Sequence, residues 1–114
     1  MYDATDSAIS LSATTCGSPP CASTSTQYSD WQASRAFDSD TSGSAWCAAS
    51  GHGYGWIQYH FASPQAVRRI TMTFYNSAHS AAGEAYFKVS NDGSSWSTVH
   101  TITQTDYATL DITI

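Results

Sequence analysis

In this 114-residue chain, the residues with the clearest capacity for chemistry are Asp38-Ser39-Asp40-Thr41-Ser42-Gly43. Oxygen-bearing side chains alternate along the segment, and a glycine then allows a sharp turn. A hard cation such as Ca2+ takes this kind of loop, because alternate side chains and backbone carbonyls converge on one point. An EF-hand is excluded: its twelfth position is Ala49 rather than a bidentate Glu, and the Gly, Ser and Trp neighbours build no flanking helices. The plainer reading of the same residues is a solvated turn in which Asp38 accepts backbone hydrogen bonds.

The remaining reactive side chains are scattered. His52, His60, His79 and His100 have no Ser, Cys or carboxylate at a nucleophile or zinc spacing. Gly51, Gly53 and Gly55 lack the third position of a dinucleotide loop and precede a strand. Without a cluster of perturbed groups, catalysis is not expected. Cys16 and Cys21 bracket Gly17-Ser18-Pro19-Pro20, close enough for a disulfide. Free thiols, or pairing with Cys47, remain open alternatives. A bridge would imply an oxidising, extracellular setting. Residues 1–6 show neither the basic nor the apolar region of a signal peptide, so an excised module or a phage fibre component is expected.

The elements that would position these residues are strands. Ser, Thr and aromatic residues abound and charged residues make up 11%, a mixture that suits a small antiparallel β-domain with a hydroxylated surface. Strands are expected at 9–13, 56–61, 67–75, 84–90, 96–102 and 109–114, with a long surface loop over 14–29 and a helical turn within 28–37. Ile70, Met72 and Phe74 share one strand face and Thr71, Thr73 and Tyr75 the other. Residues 1–8 read as a tail or linker, and 9–114 as one domain of antiparallel sheets packed face to face. The net charge of −5, with Arg35, Arg68, Arg69 and Lys88 as the fixed cations, disfavours nucleic acid and anionic membranes.

The most specific signal is Ala85-Tyr86-Phe87-Lys88-Val89-Ser90-Asn91-Asp92-Gly93-Ser94-Ser95-Trp96, a strand, a tight turn and the start of a second strand. Ala85, Phe87 and Val89 alternate with Tyr86 and Lys88, and Trp96 is expected to re-enter the core. Upstream stand Ala36-Phe37-Asp38-Ser39-Asp40, Trp46 and Trp56-Ile57-Gln58-Tyr59-His60-Phe61. In this order the segments resemble the discoidin, or coagulation factor 5/8 type C, family, from about residue 10 to residue 99. That family is close to the galactose-binding-like modules of many glycoside hydrolases.

The resemblance implies an all-β jelly-roll sandwich whose end loops, here 26–31, 47–54 and 75–83, carry recognition. It implies structural Ca2+ held by Asp38, Asp40 and Ser44 with backbone oxygen from residues 35–36. The loop is one residue longer than the family's common spacing before Trp46, and Asp111 is the candidate for the usual C-terminal Glu. Cys47 stands where galactose-binding relatives often place a sugar-contacting His, and Tyr75-Asn76 where they place an Arg. Tyr75, Asn76 and His79, with His52 and Tyr54, form a candidate replacement set for sugar hydroxyls. Trp46, Trp56 and Trp96 are the family's packing residues and are expected in the core, while Trp31 is open between core and loop tip. Loop 16–28 lacks the apolar spikes of relatives that bind phosphatidylserine, so membrane binding is not expected.

The expected function is a non-catalytic, lectin-like adhesion module that binds a glycan or glycoprotein through its end loops, outside the cell or on a virion surface. The alternative is a structural decoration or fibre-tip domain of a phage virion or other surface assembly.

Overall fold

The computed structural model describes residues 1–40, 42, 45–49, 55–73, 85–102 and 109–114, excepting the side chains of 109 and 110. The elements are β1 (Cys21–Thr24), a 3-10 helix (Ala33–Phe37), β2 (Ile57–His60), β3 (Arg69–Thr73), β4 (Ala85–Val89), β5 (Ser97–Ile102) and β6 (Thr109–Thr113). Among the described residues the chain is therefore all-β apart from one short helical turn. It divides into two compact units, Ser10–Ser63 and Met1–Ile9 with Pro64–Ile114.

In the unit Ser10–Ser63, β1 pairs antiparallel with β2, Cys21 opposite His60 and Thr24 opposite Ile57. Among the described residues of this unit, Cys21, Ala22 and Ala33 are buried. They are small, so β1 and the 3-10 helix approach closely. The sequence predicts a surface loop over 14–29 because the segment is rich in Ser, Thr, Pro and Gly. The structure corrects this: a Cys16–Cys21 disulfide closes the turn before the strand. The Thr14 carbonyl then accepts the Ala22 N–H at 2.8 Å, and the Ala22 carbonyl accepts the Cys16 N–H at 2.9 Å.

The strand expected at 9–13 is also corrected. Its alternation is genuine, but among the described residues no partner strand lies beside it, and the Ser12 N–H donates to the Tyr59 hydroxyl at 2.7 Å. The Tyr59 ring packs 5.0 Å from both Phe37 and Phe61, which ties the end of the 3-10 helix to β2.

In the other unit, β3 pairs with β6, Ile70 opposite Ile112, and both are buried. Thr71 and Thr73 face outward, as their alternation with Ile70 and Met72 requires. Residues 1–8, expected as a tail, form a turn tied to this sheet. The Tyr2 N–H donates to the Arg69 carbonyl at 2.8 Å and the Tyr2 carbonyl accepts the Arg68 N–H at 2.8 Å. The Arg69 guanidinium lies 4.1 Å from the centre of the Tyr2 ring, with Asp6 at 2.9 Å and Asp111 at 3.0 Å.

β4 pairs with β5, Ala85 opposite Ile102, and the pairing steps from Phe87–His100 to Lys88–Thr98, leaving Val99 as a bulge. Val89, on the same face as Ala85 and Phe87, is exposed where the hairpin opens into its turn. Gly93 has a φ of 74°, the left-handed conformation that a side chain would disfavour. The Asp92 carboxylate accepts the Ser94 and Ser95 N–H groups at 2.8 Å, and the Ser90 hydroxyl oxygen accepts the Gly93 N–H at 2.9 Å.

The aromatic core is smaller than the sequence suggests. Trp46 is half-buried, but Trp56 and Trp96 are 50% and 40% exposed. Each stands immediately before its strand, β2 or β5, where ladder pairing has not yet committed the side chain to an inner face.

Candidate functional site

At the end of the β1–β2 pair, the chain leaves β1 through Ser25–Tyr28 and enters β2 through Gly55 and Trp56. Thr26 fastens this end together. Its carbonyl accepts the Trp46 indole N–H at 3.0 Å, and its hydroxyl accepts the Ala49 N–H at 2.8 Å. A Cβ on Gly55 would stand 3.3 Å from the Thr26 methyl and 3.5 Å from Ala48, so glycine lets the incoming strand pass close by.

The next residues continue the fastening. The Tyr28 N–H donates to the Cys47 carbonyl at 2.8 Å, and the Trp31 N–H to the Tyr28 carbonyl at 3.1 Å. Trp56 is held by its backbone. Its N–H donates to Ser25 Oγ at 2.9 Å and its carbonyl accepts the Ser25 N–H at 3.0 Å. The three segments 25–28, 46–49 and 55–56 are thus one bonded unit, with Tyr28 51% exposed and Trp56 50% exposed.

The sequence-predicted recognition residues divide unevenly. Trp31 sits half-buried inside this bonded end, between Tyr28 and Cys47. Tyr75, Asn76, His79, His52 and Tyr54 lie outside the described residues. Cys47 is a half-buried free thiol. Sequence reasoning misses Tyr28 and Trp56 as surface residues. Tyr28 falls within a loop that the family resemblance marks for recognition, whereas the family role of Trp56 in packing hides it.

The acidic turn follows the 3-10 helix directly. Asp38 Oδ1 accepts the Asp40 N–H at 2.9 Å, and Asp40 Oδ1 accepts the Ser42 N–H at 2.8 Å and its hydroxyl at 3.0 Å. Successive carboxylates thereby fold the loop back on itself. Carboxylate and hydroxyl oxygens are the ligand types that a hard cation takes. Ser44, the third expected ligand, lies outside the described residues. Asp111, the candidate for the missing Glu, is engaged by Arg69. Among the described residues, no three His, Cys, Asp or Glu side chains form a metal-binding group. A calcium site made of carboxylates with carbonyl and hydroxyl oxygens does not require one.

Among the described residues, Ser23 Oγ lies 3.1 Å from His60 Nε2. The Gln58 amide nitrogen is 2.8 Å from the same atom and 3.2 Å from Ser23 Oγ. With that amide assigned as donor, it occupies the lone pair a general base would need for the serine proton. The trio thus reads as a satisfied cross-strand polar cluster, in keeping with Ser23 and Gln58 facing each other in the register.

A sequence model of one family, the F5/8 type C domain, matches residues 21–113. No curated protein and no solved structure matches the chain. No helix among the described residues is long and apolar enough to cross a membrane.

Proposed function

The chain belongs to the F5/8 type C, or discoidin, family of β-sandwich domains, and we propose that it is a non-catalytic module binding a glycan through the Thr26 end of β1 and β2. Domains of this family commonly bind carbohydrates or other ligands, including proteins and lipids. They are generally non-catalytic and typically extracellular. The observation that carries the glycan reading is the fastening of three loop segments by Thr26 and Ser25, with aromatic side chains left exposed upon them. Loops ordered before the ligand arrives lose less entropy on binding. Sugar sites combine such aromatic surface with a few polar groups aimed at hydroxyls. The side chains of His52 and Tyr54, in the same unit as Thr26, suit that polar role, and Asp38, Asp40 and Ser44 suit structural calcium. A single shallow site of this kind gains useful strength through multivalent display on a surface.

A glycan array tests the reading. Saturable, sugar-competable binding that is lost in His52→Ala or Tyr54→Ala supports it. A blank array, together with particle assembly that depends on the domain, would favour a structural decoration or fibre-tip role on a virion instead.

A further inference from the structure

The edge of β1 that faces away from β2 is only half used. Hydrogen-bonded pairs alternate along an antiparallel ladder. The Ser25 N–H donates to the Trp56 carbonyl at 3.0 Å, so in this register Ser23–Gln58 and Cys21–His60 are bonded pairs too. The backbone groups of Ala22 and Thr24 then point away from β2. Those of Ala22 are taken by the chain's own Thr14–Cys16 segment, which runs parallel to β1 with Thr15 opposite Ala22. The Thr24 N–H and carbonyl have no backbone partner among the described residues. Its hydroxyl does not serve them, being turned to the Thr26 and Trp56 carbonyls at 2.8 Å each.

The disulfide explains the gap. In a continued parallel ladder the Cys16 carbonyl and then the Ser18 N–H would serve Thr24. The Cys16–Cys21 bridge instead draws residues 17–20 into a turn that feeds β1 itself, so the segment leaves the edge after one rung. A cleft of about 180 Å3 opens there, lined by Ala22, Ser23 and Thr24 with Cys16, Gln27 and Ala33. Successive side chains of a strand point to opposite faces, so three consecutive residues share a cleft only along the strand's edge. No lining residue is charged, and the buried floor is made of alanine.

We propose that the Thr24 edge of β1 is a docking slot for an extended peptide segment of a partner protein, which takes up the ladder where Thr14–Cys16 leaves it. An unpaired strand edge is a template for exactly one kind of group, a backbone amide offering both a carbonyl and an N–H. The narrow uncharged cleft selects small, uncharged side chains on that segment. The slot is separate from the glycan reading and stands or falls without it.

Backbone-amide NMR of the full chain tests this in two steps. In the free protein the Thr24 amide should be about tenfold or more less protected from hydrogen exchange than the Ala22 amide. Equal protection would mean that the edge is already covered, and overturns the proposal. Capped hexapeptides alternating threonine with alanine or with glutamate are then titrated in. The alanine peptide should bind saturably and move the Thr24 amide downfield, and the glutamate peptide should not. An N-methylated copy of the alanine peptide, with no backbone N–H to give, should bind about fivefold more weakly or worse. Gln27→Trp, placed at an exposed position on the cleft, should abolish binding. If that variant unfolds, the N-methylated peptide is read in its place. No saturable Thr24 shift with the alanine peptide, or equal binding of its N-methylated copy, overturns the slot. A Thr24 shift produced by N-acetylglucosamine and not by the peptide overturns the peptide as occupant.

Discussion

The Trp46 indole N–H donates to the Thr26 carbonyl at 3.0 Å, so the tryptophan that the sequence assigns to packing also works as a loop fastener. A half-buried Trp needs a partner for its one polar group, and here the partner is a residue whose hydroxyl already holds Ala49. Two loops meet at one threonine.

Thr26→Val keeps the shape and the carbonyl but removes the hydroxyl acceptor. The Ala49 N–H is left short of a partner, which should cost about 1–2 kcal/mol. Urea unfolding measures this directly, and glycan affinity should fall with it. An unchanged midpoint would mean that the Thr26–Ala49 bond holds nothing in place.

Calcium, if bound by Asp38 and Asp40, stabilises the folded state by mass action. A concentration about 100 times the dissociation constant contributes about 2.7 kcal/mol, several degrees in Tm for a domain of this size. Thermal unfolding with Ca2+ and with chelator should differ accordingly, and Asp38→Asn with Asp40→Asn should abolish the difference. Equal Tm values in wild type would leave the turn as a self-bonded loop without a cation.

The Cys16–Cys21 bridge closes a short loop ahead of β1. Chain-entropy arguments give such a loop about 2 kcal/mol. Cys16→Ser with Cys21→Ser should lower stability by that order in denaturant unfolding. Intact mass after alkylation should show only Cys47 modified before reduction and all three thiols modified after it.

The Asp92 carboxyl lies below the ordinary value of 3.8, chiefly because of the Ser95 N–H, then the Ser94 N–H and the Ser90 hydroxyl. A carboxyl lowered in the folded state stabilises it above the ordinary value, and that contribution is lost as pH falls through the lowered one. Carbon-detected NMR titration should therefore show Asp92 protonating at lower pH than an unstructured Asp. Asp92→Asn should remove its share of the acid sensitivity while an amide oxygen still accepts the turn N–H groups.

Strands with strong period-two patterns are legible in the amino-acid order alone: β2, β3, β4, β5 and β6 fall within their expected spans. Ile70 and Ile112 are buried opposite each other because alternation fixes the inward face once the strands pair. β1 is not legible in this way. Its burial comes from small residues packed tightly beside a disulfide, and neither signal has a hydrophobic period. Residues 9–13 carry the period without a partner strand among the described residues, so alternation alone does not make a strand. The site is only partly legible. The loop that includes Tyr28 is marked by position, while the exposure of Trp56 depends on where β2 pairing begins, one residue later.

The most direct measurement is a backbone-amide NMR titration with the strongest glycan from the array. Glycan recognition at the Thr26 end predicts shifts concentrated at Thr26, Tyr28, Cys47, Ala49 and Trp56, with the Asp92–Ser95 turn silent. Saturable shifts confined to that turn or to β3 and β6, with the Thr26 end unmoved, would contradict it.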